Sequence, residues 1–181
     1  QNNGLTHSRT LMPMAVSLLD NCGTALDAVE LIAVAAGPGS FTGLRIGVAA
    51  AKGLAWPGNK PCAACSTLES MAWPLAFYKD AVIVCAMDAR RSQVYNALFL
   101  AESGTLQRLC PDRAVSLAAV AEDLRREHRA KIVVGDGAVL CYNALKDAGV
   151  SCALAQEALR MQDAVGVCQC AEAAARTGLF T

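Results

Sequence analysis

Leu31-Ile32-Ala33-Val34-Ala35-Ala36 runs into Gly37-Pro38-Gly39-Ser40-Phe41-Thr42-Gly43, and then into Leu44-Arg45-Ile46-Gly47. Six consecutive apolar residues closed by a Gly-Pro-Gly turn read as a buried strand. The segment Leu44–Trp56 reads as a helix of unusually small residues, with Gly47, Ala49, Ala50, Ala51, Gly53 and Ala55. Glycine costs roughly 1 kcal/mol relative to alanine in a helix interior, so two of them predict that another backbone approaches closely. Strand, glycine-rich turn and helix, in that order, are a building unit of layered α/β folds.

A turn of this kind aims backbone N–H groups and the positive helix end at whatever sits above it. Gly37, Gly39, Ser40, Thr42 and Gly43 are therefore a candidate anion or nucleotide loop. The G-x-G-x-x-x-G spacing is one residue longer than the dinucleotide fingerprint, and Lys52, between Ala51 and Gly53, lacks the P-loop setting. Spacing alone favours a tight turn without a ligand. Ser40 suggests a nucleophile elbow, but its context is G-x-G-S-F rather than G-x-S-x-G.

Working outward, the chain has 181 residues, 16 basic and 16 acidic side chains, 54% hydrophobic and 18% charged residues. That composition excludes intrinsic disorder. A net charge of zero excludes a broad electrostatic footprint for nucleic acid. The longest uncharged stretch, Leu31–Leu44, is short and broken by glycine and proline, so no membrane span is expected. The nine cysteines are irregularly spaced, no signal-like segment precedes them, and most sit in apolar runs. They read as reduced thiols of a cytoplasmic protein, acting as small hydrophobes. Cys62-x-x-Cys65 has no second pair and no nearby histidine to complete a zinc site, so two free, packed thiols are expected at the end of a strand.

A first helix fits Thr6–Cys22. Leu11, Met14, Leu18 and Cys22 form one apolar stripe, and Met12, Val16 and Leu19 a second beside it. Pro13 should kink this helix or mark its first turn. Further on, the pattern predicts a helix over Thr67–Ala76 capped by Ser66, a strand over Ala81–Met87, a turn over Asp88–Ser92 and a returning strand over Gln93–Leu100. A helix over Leu117–Arg129, a strand over Lys131–Val134, a Gly135-Asp136-Gly137 turn into a helix ending at Gly149, and a strand over Val150–Leu154 follow. Asp163 caps a last helix that stops at Gly178. The simplest division is two lobes, 1–79 and 80–181.

The whole string Gly37-Pro-Gly-Ser-Phe-Thr-Gly-Leu-Arg-Ile-Gly47 resembles the signature of the bacterial TsaB (YeaZ) family. His7-Ser8 before Leu11 and Pro13, Ser66-Thr67-Leu68-Glu69, Asp88-Ala89-Arg90-Arg91 with Val94-Tyr95, and Gly135-Asp136-Gly137 agree with it in order along nearly the whole chain. The resemblance implies an actin-like ATPase (ribonuclease H-like) fold in two lobes. It implies a noncatalytic scaffold that binds and activates a TsaD-like catalytic subunit in making N6-threonylcarbamoyladenosine in tRNA. A TsaE-like ATPase is a further expected partner, tRNA is met only indirectly, and self-association runs through the first two helices. Measured against the family pattern, the chain is expected to lack the first strands of the N-lobe and the last C-terminal segment.

The residues expected at the partner interface are Leu11, Met12, Val16 and Leu19 of the first helix and Arg45, Val48, Ala50 and Ala51 of the second. No catalytic residue, metal ligand or cofactor is expected. The catalytic relative carries a His-x-x-x-His pair, and the matching stretch Ser66–Ala72 holds no histidine. His7 reads as a capping or surface residue, and His128 as part of a solvated, charged helix end. Asp88, Arg90 and Arg91 form either a contact turn or solvated charge. The competing reading is an ATP-using transferase or hydrolase of the actin-like fold, including a peptidase-like one. It rests on the glycine loop alone, and no triad is visible for it.

Overall fold

Val82, Val84 and Ala86 point to one side of a strand, and Ile83 and Cys85 to the other, and all five are fully buried. That alternation follows from the period-two geometry of a strand, and burial on both sides means helices cover both faces. The computed structural model that shows this describes residues 7–178. The Gln1–Thr6 segment, which includes the expected first helical residue, and the Leu179–Thr181 end lie outside the described residues. The chain divides into two compact units, one running to Cys65 and resuming at Ala171, the other Ser66–Cys170.

In the first unit, helix α1 spans His7–Asn21, strand β1 Ile32–Gly37, helix α2 Phe41–Ala55 and strand β2 Cys62–Ser66. β1 pairs with β2 in a two-stranded sheet, and α1 packs on α2. β1, expected as a buried strand, has no fully buried residue. On α1 the packed stripe is Leu11, Ala15 and Leu19, all half-buried. The expected stripe through Met14, Leu18 and Cys22 is exposed instead. Leu11, Ala15 and Leu19 recur every four residues and so share one side of the helix. Pro13 lies inside the helix.

In the second unit, helix α3 spans Thr67–Ala72, β3 Lys79–Arg90, β4 Gln93–Glu102, β5 Thr105–Arg108, β6 Arg113–Ser116, α4 Leu117–Leu124, β7 Ala130–Val134, α5 Ala138–Asp147, β8 Ala153–Leu154 and α6 Glu157–Arg160. Helix α7, Ala164–Arg176, begins in this unit and ends in the first. The sheet order is β5-β4-β3-β7-β8, with β6 pairing along β4 as well. β3 is antiparallel to β4 and parallel to β7. One face packs Ile83, Cys85, Phe99 and Val134 against Leu68, Met71 and Leu75. The other packs Val82, Val84, Leu98 and Val133 against Val120, Leu124, Cys141 and Leu145 of α4 and α5. Each fully buried large apolar side chain contributes about 1.5–3 kcal/mol. The sequence reading places Thr67–Leu75 with the first lobe, whereas in the fold it packs against this second sheet.

Several boundaries differ from expectation for identifiable reasons. α3 ends at Ala72 and continues as a 3₁₀ turn, Trp73–Leu75. Pro74 has no N–H to continue the α-helical ladder. α2 begins three residues earlier than predicted, because Ser40 caps it and Phe41–Gly43 form its first turn. The hairpin strands run on to Arg90 and from Gln93, shrinking the turn to two residues.

Candidate functional site

Ser40 decides what the glycine loop can do. Its Oγ accepts the N–H of Gly43 at 3.3 Å, which is the side-chain bond of a helix N-cap. One of the amides that an anion loop would present is thus already satisfied. A Cβ on Gly37 would lie 3.5 Å from Leu44 Cδ1, so Leu44 packs over the turn. Gly47 faces β1, where an added Cβ would lie 3.7 Å from Val34 Cγ2. That is ordinary contact with a side chain, not the close backbone approach its small size predicted. Gly53 meets nothing within 4 Å, so it makes no such approach in this chain.

The outer faces of α1 and α2 carry the largest apolar exposure. Met12 and Met14 are exposed, with Val16 at 52% and Leu18 at 63%. Pro13, Met14, Ser17, Leu18 and Asn21 line a shallow, open hollow of about 430 Å³ along α1. On α2 the exposed stripe is Phe41, Arg45, Ala49 and Lys52. Phe41 is 71% exposed, and Trp56, just past the helix, 87%. Of the expected interface residues, Met12, Val16 and Arg45 are therefore exposed. Leu11, Leu19, Val48 and Ala50 are half-buried, and Ala51 is buried. The structure thus turns Ala51 inward, because it shares a helix side with the buried Ala55.

In the second unit, the two sequence motifs at Asp88 and Gly135 come together. Gly137 donates its N–H to Ala86 O at 3.1 Å. A Cβ on Gly135 would lie 2.1 Å from Ala86 O, and one on Gly137 2.8 Å from Asp88 N. Gly135 also has φ +114°. Only glycine allows this backbone-on-backbone contact. Asp88 Oδ1 accepts the N–H of Arg90 at 2.7 Å.

The Ser66–Glu69 motif works as an anchor. Ser66 Oγ accepts the N–H of Glu69 at 3.1 Å and donates to Asp112 Oδ2 at 2.6 Å. Arg108 bridges Asp112 and Glu69, with its guanidinium 4.7 Å over the Phe99 ring. Partial burial alone would lower the Arg108 pKa, but the two carboxylates outweigh it and hold the pKa above its usual value. Beneath, the fully buried Asn96 donates to Cys85 O at 2.8 Å and accepts from Arg113, which also pairs with Asp123. No expectation named Arg108, Asp112, Asn96 or Arg113. Asn96, a polar residue inside an apolar strand run, was the one usable signal.

The thiols are poorly suited to nucleophilic work. Burial pushes the Cys85 thiol well above its usual range, and Cys141 up to about 12. Burial also raises Cys152. Cys22, Cys62, Cys85, Cys110, Cys141, Cys152 and Cys168 are free thiols. Cys62 and Cys65 stand three apart on β2, so they project to opposite faces, Cys65 buried and Cys62 half-buried. Among the described residues no three His, Cys, Asp or Glu side chains converge on a metal position, and no helix is long and apolar enough to cross a membrane. His128 is exposed. The side chain of His7 lies outside the described ones.

The family model described as TsaD, tRNA N6-adenosine threonylcarbamoyltransferase, matches residues 4–176. The chain is 40% identical to the tRNA threonylcarbamoyladenosine biosynthesis protein TsaB of Bacillus subtilis over 78% of its own length and 61% of that protein. It therefore spans about three fifths of that relative. Among solved structures it is similar to a Pseudomonas aeruginosa protein described as uncharacterized, with similarity to peptidase YEAZ. The TM-score is 0.81 at 27% identity, covering 97% of this chain and 80% of that one. YeaZ from Pseudomonas aeruginosa gives a TM-score of 0.79 at 26% identity, covering 97% and 79%. The α/β architecture is thus the actin-like, ribonuclease H-like fold that the motifs implied.

Proposed function

Since the chain belongs to the tRNA N6-adenosine threonylcarbamoyltransferase (TsaD) family and its TsaB (YeaZ) group, we propose that it is a noncatalytic subunit in the making of N6-threonylcarbamoyladenosine in tRNA. In this reading it binds and activates a TsaD-like catalytic homologue. The observation that carries it is the apolar exposure on two sides of α1, Met12 with Val16 and Met14 with Leu18, together with Phe41 at the start of α2 and Trp56 just past its end. Exposed large apolar side chains clustered on two neighbouring helices mark an interface. A homologous partner would present similar helices, so homodimer and heterodimer compete for one face. A TsaE-like ATPase is a further partner in this reading, and the setting is cytoplasmic.

The chemistry of the remaining candidates supports a binding role. Ser40 spends its hydroxyl on the Gly43 amide, and the buried thiols are held neutral at pH 7. The test is capture from a native cell extract with the chain as bait. Recovery of a TsaD-like protein supports the reading. Tight ATP binding and turnover by the chain alone, without such a partner, would favour an ATP-using enzyme instead.

A further inference from the structure

We propose that the tip of the β3–β4 hairpin, Asp88–Ser92, contacts the phosphate backbone of the tRNA. The proposal rests on the tRNA-modification reading above, and it departs from the expectation that tRNA meets this chain only indirectly. Zero net charge excludes a broad footprint but not a narrow contact through two side chains.

The backbone of the tip is held where few side chains belong. Arg90, Arg91 and Ser92 have φ of +66°, +51° and +59°, three consecutive non-glycine residues in the left-handed region. A two-residue hairpin turn requires positive φ, and glycine or asparagine supplies it at least cost. This chain places two arginines and a serine there. Outliers that the surrounding structure holds in place cluster at functional sites. The surroundings do hold this one: β3 is the central strand, its ladder with β4 shifts register between Asp88 and Arg90, and the Gly135–Gly137 turn packs directly on Ala86 and Asp88.

The two guanidiniums are exposed and unpaired. Among the described residues Arg90 and Arg91 make no ion pair, as is also true of Arg9, Arg45, Arg126 and Arg160, but of these only Arg90 and Arg91 are adjacent. Asp88, the nearest carboxylate in sequence, directs Oδ1 to the backbone N–H of Arg90. Asp136, on the adjoining turn, is exposed and pairs with neither arginine. Two adjacent, permanently charged forks of N–H donors match the non-bridging oxygens of a phosphodiester.

The test is fluorescence anisotropy of labelled, unmodified tRNA with the 181-residue chain, and with the chain bound to its captured partner, across a potassium chloride series. The Arg90→Gly/Arg91→Gly double variant removes both charges while relaxing the turn, so it should fold. It is expected to weaken tRNA binding at least about tenfold and to make the slope of log K against log salt shallower by about two. Arg90→Lys/Arg91→Lys should keep most of that slope, and partner capture should be unchanged in both variants. Equal affinity and slope for wild type and the glycine variant would overturn the proposal, as would no tRNA binding by either wild-type form. Lost partner capture with intact tRNA binding would make the tip a protein contact and overturn it too. If the wild-type chain captures no TsaD-like partner yet binds tRNA through these arginines, the subunit reading fails and the tip contact stands.

Discussion

The guanidinium of Arg45 lies over the ring of Phe41, its central carbon 4.4 Å from the ring centre, with both side chains exposed on α2. An exposed cation–π pair contributes about 0.5–1 kcal/mol, enough to bias the rotamers of both partners. An aromatic ring is thus presented in a defined orientation at the start of the helix. Aromatic side chains of this kind dominate binding energy when a partner covers them. Phe41→Ala should therefore weaken capture of the TsaD-like partner by about 1–2 kcal/mol. Its effect on unfolding should stay within about 0.5–1 kcal/mol, the worth of the lost exposed pair. Titration calorimetry and urea unfolding measure the two.

Gly135 and Gly53 should respond oppositely to the same change. An added Cβ at Gly135 would collide with Ala86 O and sit at φ +114°. Gly135→Ala should cost about 2–5 kcal/mol, from overpacking and strain together. Gly53 is on an open face of α2, where alanine should add about 0.5–1 kcal/mol. Urea midpoints of the two variants against wild type read the difference directly.

These two glycines also show what could be read beforehand. Small residues in α2 were visible as a pattern, but only the fold shows that Gly47 meets Val34 while Gly53 meets nothing. The apolar run of β3 was legible as a buried strand. Which residue faces which layer followed from its period. β5 and β6 left no such trace, since Thr105, Gln107, Arg108 and Arg113 are polar and the strands owe their existence to pairing along β4. On α1 two apolar stripes were apparent. Packing on α2 selected Leu11, Ala15 and Leu19, a choice the helix sequence does not contain. The Ser40 cap was hidden because its spacing fits a loop and a first helical turn equally well.

Asn96→Ala should be among the costliest polar changes in the second unit. It would remove one bond to the Cys85 carbonyl and leave the half-buried Arg113 with Asp123 alone. Unsatisfied buried groups cost about 1–3 kcal/mol each, so a loss of about 2–4 kcal/mol is expected. Chemical denaturation with unchanged m-value would confirm a stability effect confined to the native state.

Alkaline pH should destabilise the protein through its buried thiols. Cys85 and Cys141 have raised native pKa values, the latter about 12, while an unfolded thiol ionises near about 8.5. Above that pH the unfolded state releases protons that the native state retains, so stability falls as pH rises towards about 12. The melting temperature should decline steadily from pH about 8.5 upward. In Cys85→Ala/Cys141→Ala the decline should be shallower, even though the variant starts from a lower value. Parallel slopes for the two proteins would refute burial of these thiols as the cause.

The most direct test of the subunit reading is partner capture by Leu18→Glu, made alongside Val16→Glu. Both side chains are exposed, on different sides of α1, so neither change should disturb the fold, with circular dichroism and melting as the check. A buried carboxylate without a partner costs several kcal/mol, so each variant should lose the TsaD-like protein from the pull-down and lose self-association in sedimentation. If folded Leu18→Glu and Val16→Glu chains still capture the partner and still associate as the wild type does, the apolar face of α1 is not the interface and the central claim is contradicted.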